Sequence, residues 1–268
     1  MNPVTHLETF ESISLETLDA KADMLTRMDN KYIVRGLLSP ECVNKLQKEF
    51  DVLTIDDHLF FKYHSIYFDT NLVCFDEYKK GKRQRFKART RVYKDSKNLA
   101  FFEVKLSGKG AQTAKFRTRC DTSEHGTVTP HFLNFLKEMY YKQYRKEFTH
   151  TLSPVVSTSY KRVTLVAKKG GERLTIDFDL VFTVEGEVIP LPHDFAICEA
   201  KSKNGNGLAD KILHAERIHP VFGCSKFGLA MALSGKVNRY NKFLPILKKH
   251  FKERLQEISQ KPLRFKHL

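Results

Sequence analysis

The sequence predicts an α+β fold, an antiparallel β-barrel with surrounding helices and a C-terminal helix. Three observations lead there: period-two alternation in successive runs from His64 onward, three- and four-residue spacing confined to the segments around those runs, and a charged face on nearly every strand. The 268 residues are 41% hydrophobic with 21 Phe and 10 Tyr, enough to fill a sizeable core, which excludes a disordered basic tail. Barrels of this length commonly form one unit, so the chain reads as a single domain over 1–268 with a core of about 20–240.

Each element has a local reason. After Ser39-Pro40, which can cap and open a helix, Val43, Leu46 and Phe50 fall at helical spacing. Strands follow at Ser65 to Asp69, Phe86 to Tyr93, Ala100 to Leu106 and Ala114 to Cys120. Pro130 to Lys146 carries Phe, Leu, Met and Tyr at helical spacing, and its Tyr140, Tyr141 and Tyr144 are expected in the core. Strands resume at Val155 to Ala167, Arg173 to Val184 and Phe195 to Lys201, the first two joined by the turn Lys168-Lys169-Gly170-Gly171. Helices at Leu208 to Ile218 and Lys226 to Leu233 precede an amphipathic C-terminal helix over 241–259, with Phe243, Leu247, Phe251 and Leu255 on one stripe.

Composition narrows the function. The chain has 46 Lys and Arg against 31 Asp and Glu, a net charge of +15, which favours polyanionic partners. No apolar run approaches the roughly 18 to 20 residues of a membrane span, and the N-terminus lacks a leader pattern, so a cytoplasmic chain is expected. The five cysteines are scattered without a CxxC pair and read as reduced fillers, and the eleven histidines show no ligand spacing. No Walker A sequence is present; Gly108-Lys109-Gly110 reads as a hairpin turn.

Alternate residues of a strand share a face, so Arg85, Lys87, Arg89 and Arg91 project together, away from Phe86 and Val92. The same alternation groups Arg27, Asp29 and Lys31; Glu103 and Lys105; Lys115, Arg117 and Arg119; Tyr160 and Arg162; Arg173, Asp177 and Asp179; and Glu199 and Lys201. For any one strand, a solvent-facing polar side is the ordinary explanation. If the sheet closes, these faces converge around an interior whose cations outnumber its carboxylates, and a multiply charged anion relieves the repulsion. Arginine forks match phosphate oxygens, and an interspersed carboxylate suits a divalent metal bridging protein and phosphate.

The motifs Arg27-Met28-Asp29-Asn30-Lys31-Tyr32, Tyr67-Phe68-Asp69-Thr70, Arg89-Thr90-Arg91-Val92-Tyr93, Glu103-Val104-Lys105, Ser159-Tyr160-Lys161-Arg162, Cys198-Glu199-Ala200-Lys201 and Ser225-Lys226-Phe227 occur in this order. Together they resemble the VTC-type polyphosphate polymerase domain of the triphosphate tunnel metalloenzymes, a CYTH-like superfamily, from about Arg27 to Leu233. The resemblance implies that Lys31, Arg89, Arg91, Lys105, Arg162 and Lys226 grip the triphosphate and the growing chain, joined by Arg173 and Lys201. It implies that Tyr160 packs against the nucleotide base, that Ser225 contacts a phosphate at a helix start, and that Glu199 holds a divalent cation, Mn2+ or Mg2+. Asp29 departs from the family's usual glutamate, and Glu103 reads as a partner for Lys105 or, as the alternative, a second metal ligand. Lys115 and Arg117 extend the basic set toward a long product.

The implied activity is transfer of the γ-phosphoryl group of ATP to inorganic polyphosphate. Two alternatives stay open: a metal-dependent triphosphatase using water as acceptor, and a non-catalytic polyanion-binding module. Nucleic acid is not expected as a partner, because the aromatic side chains point away from the arginines. Coupling to a membrane protein, with the chain peripheral to the membrane, is compatible with the resemblance, as is a basic C-terminal helix with Lys248, Lys249, Lys252 and Arg254.

Overall fold

The computed structural model describes residues 2–21, 28–95, 99–108 and 113–260; Arg27 and the Lys109-Gly110 pair lie outside them. The strands are β1 (Ser12–Ile13), β2 (Met28–Arg35), β3 (Phe50–Leu53), β4 (Phe61–Asp69), β5 (Arg85–Tyr93), β6 (Ala100–Ser107), β7 (Thr113–Cys120), β8 (Ser153–Ala167), β9 (Arg173–Val184), β10 (Glu187–Pro190) and β11 (Phe195–Ser202). The helices are α1 (Leu15–Lys21), α2 (Pro40–Glu49), α3 (Val73–Lys80), α4 (Pro130–Tyr144), α5 (Leu208–Ala215), α6 (Lys226–Ser234), α7 (Leu244–His250) and α8 (Lys252–Gln260). The fold is the expected α+β type on a mostly antiparallel sheet of order β2-β11-β9-β8-β4-β5-β6-β7. Among the described residues this order has two ends, β2 and β7, so the ladder is not closed as a barrel would be.

The chain forms two compact units. The first comprises Met1–Lys62, Tyr160–Val181 and Pro190–Cys224. Its sheet pairs β11 with both β2 and β9, and β3 with the end of β8. One face is the core: Tyr32 and Val34 of β2, Leu174, Ile176 and Phe178 of β9, and Cys198 and Ala200 of β11 pack with Cys42, Val43 and Leu46 of α2 and Ile212 and Leu213 of α5. Helix α2 starts as its sequence dictates, with the Ser39 hydroxyl accepting the Cys42 N–H at 3.0 Å and Pro40 in the first turn. The carboxylate of Asp210 is fully buried and accepts from Tyr32 Oη (2.5 Å), Asn30 Nδ2 (2.9 Å), Ser202 Oγ (3.2 Å) and the Gly207 N–H (2.9 Å). It fixes Asn30 and Tyr32 on either side of Lys31, and Ser202 beside Lys201.

The second unit comprises Tyr63–Ser159, Phe182–Ile189 and Ser225–Leu268. Strands β4, β5, β6 and β7 pair in sequence as an antiparallel meander. Their apolar face meets α4, where Phe102 stacks on Phe132 at 4.7 Å and Phe86 meets Tyr140 and Phe148 edge-on. Tyr144 is buried and hydrogen-bonds the Arg85 and Ser107 carbonyls, whereas Tyr141 is exposed, against the expectation that all three tyrosines are core. His64 lies 2.7 Å from both His125 and Ser157, and burial, with the charges of His64 and Lys94, pushes His125 down to about 4, so it is uncharged at neutral pH.

The C-terminal stripe is not one helix. Phe251 has φ −140°, which separates α7 from α8, and Arg254 then reaches Glu187, Glu257 and the Leu233 carbonyl. The five cysteines are buried and none is joined in a disulfide. Among the described residues no helix is long and apolar enough to cross a membrane.

Gly228 in the first turn of α6 lets Phe243 approach: a Cβ there would lie 2.5 Å from the ring Cζ. Gly228→Ala is therefore expected to cost about 1–3 kcal/mol by overpacking, measured as a fall in the denaturant midpoint of unfolding.

Candidate functional site

In the first unit the non-core face of the sheet is polar, because its side chains alternate with those of the core. Register sets Glu199 between Lys31 of β2 and Thr175 of β9, and Lys201 between Asp29 and Arg173. Lys31 pairs with Glu199 Oε1, and Lys201 Nζ lies 3.3 Å from Oε2 of the same carboxylate. Next along the face, Arg162 grips Asp177 with a two-point fork, Nε to Oδ1 at 2.6 Å and Nη2 to Oδ2 at 2.8 Å. Asp177 is 2% exposed, so it is held by a geometry only arginine supplies.

Two residues depart from the expected grouping. Asp179 has φ +49°, and pairs with Lys161 (2.9 Å) instead of continuing the row of Asp177. Tyr160 is 3% exposed, and its ring centroid lies 5.5 Å from the Arg162 guanidinium. A ring so covered does not present an open face to a base.

In the second unit the non-apolar face centres on Glu103, 1% exposed. In register across four strands stand Tyr67, Arg89, Glu103 and Arg117. Arg89 donates to Glu103 Oε2 from Nε (2.6 Å) and Nη2 (2.5 Å) and to Tyr67 Oη from Nη1 (2.7 Å). Arg91 Nη1 lies 3.9 Å from Oε2 and its Nε donates to the buried Ser65 hydroxyl at 3.0 Å. Lys115 meets Oε1 at 2.6 Å. Glu103 is thus shared by Arg89, Arg91 and Lys115. Lys105 stands in register between Lys87 and Lys115.

The titration behaviour follows. Burial pushes the Glu103 carboxyl up, but Arg89, Arg91 and Lys115 outweigh it and hold it well below the usual carboxylate range. Lys115 is pulled down to about 8 by desolvation and by the charges of Arg89 and Arg91, with Glu103 opposing.

Ser225 caps α6: its hydroxyl accepts the Gly228 N–H (3.1 Å) and is 3.2 Å from Lys87 Nζ. Lys87 in turn lies over Tyr78, 3.9 Å from the ring centroid. Lys226 is the first residue of α6, and Arg117 rests over Phe101 at 4.7 Å. The structure therefore brings Lys31, Glu199, Lys201, Arg162 and Asp177 together on one face, with Arg173 in the adjoining register, and Arg89, Arg91, Lys105, Lys115 and Arg117 on another. Sequence reasoning gave no role to Tyr67, Ser65 and Tyr78. The alternation of Tyr63, Ser65 and Tyr67 on β4 was the signal for the first two; Tyr78 lies on α3, a helix not read from the sequence.

An antiparallel α+β sheet with buried, interlocked arginine–carboxylate faces defines the class. The VTC domain family matches residues 26–234, and the chain belongs to that family. No curated protein gives a match. Among solved structures, the PH1819 protein from Pyrococcus horikoshii OT3 is similar at 12% identity and a TM-score of 0.41, covering 76% of this chain and 99% of its own. A protein named as a candidate adenylate cyclase of Bacillus halodurans is similar at 12% identity and a TM-score of 0.35, covering 91% and 96%.

Two outcomes test this chemistry. Glu103→Gln leaves three cations without their shared counter-charge and is expected to cost about 3–5 kcal/mol in denaturant unfolding, with tripolyphosphate restoring part of the loss. The Lys115 ammonium deprotonates above about 8, so tripolyphosphate affinity should fall as pH rises through that value, and the fall should vanish in Lys115→Arg, whose charge persists. Titration calorimetry at stepped pH reads both proteins.

Proposed function

We propose that the chain is an ATP-dependent polyphosphate polymerase that passes the γ-phosphoryl group of ATP to the end of an inorganic polyphosphate chain. The observation that carries this reading is the sharing of single carboxylates by several buried or partly buried cations: Glu103 by Arg89, Arg91 and Lys115, and Glu199 by Lys31 and Lys201. Such cations are held in place before ligand arrives and keep an excess of positive charge that linked phosphates would complete. Membership of the VTC domain family supports the same reading.

Lys31, Arg89, Arg91, Lys105, Arg162 and Lys226 would bind donor and acceptor phosphates, with Arg173, Lys201 and Ser225 as further contacts. The acceptor terminal phosphate is already an anion, so no strong base is needed; holding donor and acceptor in line and neutralising charge suffices. The reaction forms an O–P bond to the acceptor, breaks the β–γ bridge and releases ADP. Among the described residues no group of three His, Cys, Asp or Glu could hold a metal by itself. A single carboxylate completed by substrate phosphates and water is a donor set that suits Mg2+ or Mn2+. Glu199 would hold it, and the ion would supply charge neutralisation at the transferring phosphate.

Lys115, Arg117 and Arg119 on β7 favour a long anionic product over the short substrate of a triphosphatase. Incubation with ATP and Mn2+ followed by gel electrophoresis decides: a polyphosphate ladder is expected, whereas orthophosphate and ADP alone give the triphosphatase. Glu199→Gln should abolish turnover and keep tripolyphosphate binding; normal turnover in that variant removes Glu199 from the metal site.

A further inference from the structure

We propose that Phe222 is the platform on which the nucleobase of ATP stacks. This deepens the polymerase reading and rests on it. The family resemblance gives that task to Tyr160, but Tyr160 is 3% exposed and its ring is taken up by Arg162. Stacking needs a planar face open to solvent before the ligand arrives.

Phe222 has such a ring: it is 91% exposed, the most exposed of the large hydrophobic side chains described. A single apolar residue on a surface is ordinary, so exposure alone decides nothing. Its mounting does. On one side the Val221 N–H donates to the Lys31 carbonyl at 2.7 Å, which docks the loop on the edge of β2. On the other, Cys224 is 2% exposed, and Gly223 turns the chain between them with φ +80°. Both neighbours that flank the turn are tied down and Phe222 alone stands out, so the ring forgoes burial on a backbone held in place. The residue docked beside it, Lys31, pairs with Glu199, the proposed metal and phosphate end of the same unit. A nucleoside triphosphate whose phosphates reach Lys31 has its base within reach of this loop, whereas inorganic tripolyphosphate has no group to place there.

The discriminating measurement is calorimetric binding of two probes, adenosine 5′-(β,γ-imido)triphosphate and inorganic tripolyphosphate, to the full chain and to Phe222→Ala and Phe222→Tyr. Phe222→Ala should weaken the nucleotide on the order of tenfold and change tripolyphosphate by less than about twofold, while Phe222→Tyr keeps nucleotide affinity. Thermal unfolding of the variants should match the parent, since the ring packs on nothing it would leave exposed. Unchanged nucleotide affinity in Phe222→Ala, or equal loss for both probes, overturns the assignment and leaves the triphosphate reading standing. If the parent chain binds neither probe, the triphosphate reading fails and the platform with it.

Discussion

Like charges crowded on a pleated surface are the constraint around which this protein is arranged. Antiparallel pairing puts Lys87 opposite Lys105 and Lys105 opposite Lys115, and brings Arg89 and Arg91 onto the same side. Neighbouring cations on a sheet repel, and the repulsion grows as water is withdrawn. Glu103 answers it from the centre of the row, where one carboxylate accepts from Arg89 and Lys115 and lies 3.9 Å from Arg91. The price is a deeply desolvated anion whose removal is costly. What remains is a face with fixed donors and a positive surplus, which is the electrostatic precondition for holding linked phosphates.

The same logic recurs in the first unit with different components. There the arginine, Arg162, is held by both oxygens of Asp177, and the lysines share Glu199. Asp210, from the opposite side of β2, grips Asn30 and Tyr32 and so fixes the strand that carries Lys31. Burial and the Asp210 charge hold the Tyr32 hydroxyl well above its usual range, so it remains a donor at any working pH. Chemistry on one face of the sheet is thus supported by a hydrogen-bonded network on the other.

Much of this was legible in the chain because period two is a strong signal. Arg85 to Arg91 alternating with Phe86 to Val92 placed β5 and told which side faces the core. Ser39-Pro40 marked α2 because a hydroxyl cap followed by proline satisfies a helix start locally, and the three- and four-residue spacing after Pro130 marked α4. What was not legible depended on tertiary partners. Helix α3 is short and begins after Leu72 at φ +65°, fixed by the Asp69 carboxylate accepting the Cys74 and Phe75 N–H groups. The twist at Asp179 takes it out of the row of Asp177, and alternation alone cannot foresee a residue in the left-handed region. The cations that meet Glu103 come from both flanking strands, Arg89 and Arg91 of β5 and Lys115 of β7, and which strands flank β6 is set by the fold and not by alternation along one strand. A ring's accessibility also has no sequence signature, as Tyr160 and Phe222 show.

Strand β7 ends the sheet order, and a terminal strand offers a row of backbone N–H and C=O groups to any passing chain. Its outward Lys115, Arg117 and Arg119 discourage such docking, since a second copy would bring the same charges against them. The basic rim is therefore also a solubility device. A bound polyanion that neutralised it would lift the protection along with the charge, so the colloidal behaviour of the protein would follow the occupancy of this face.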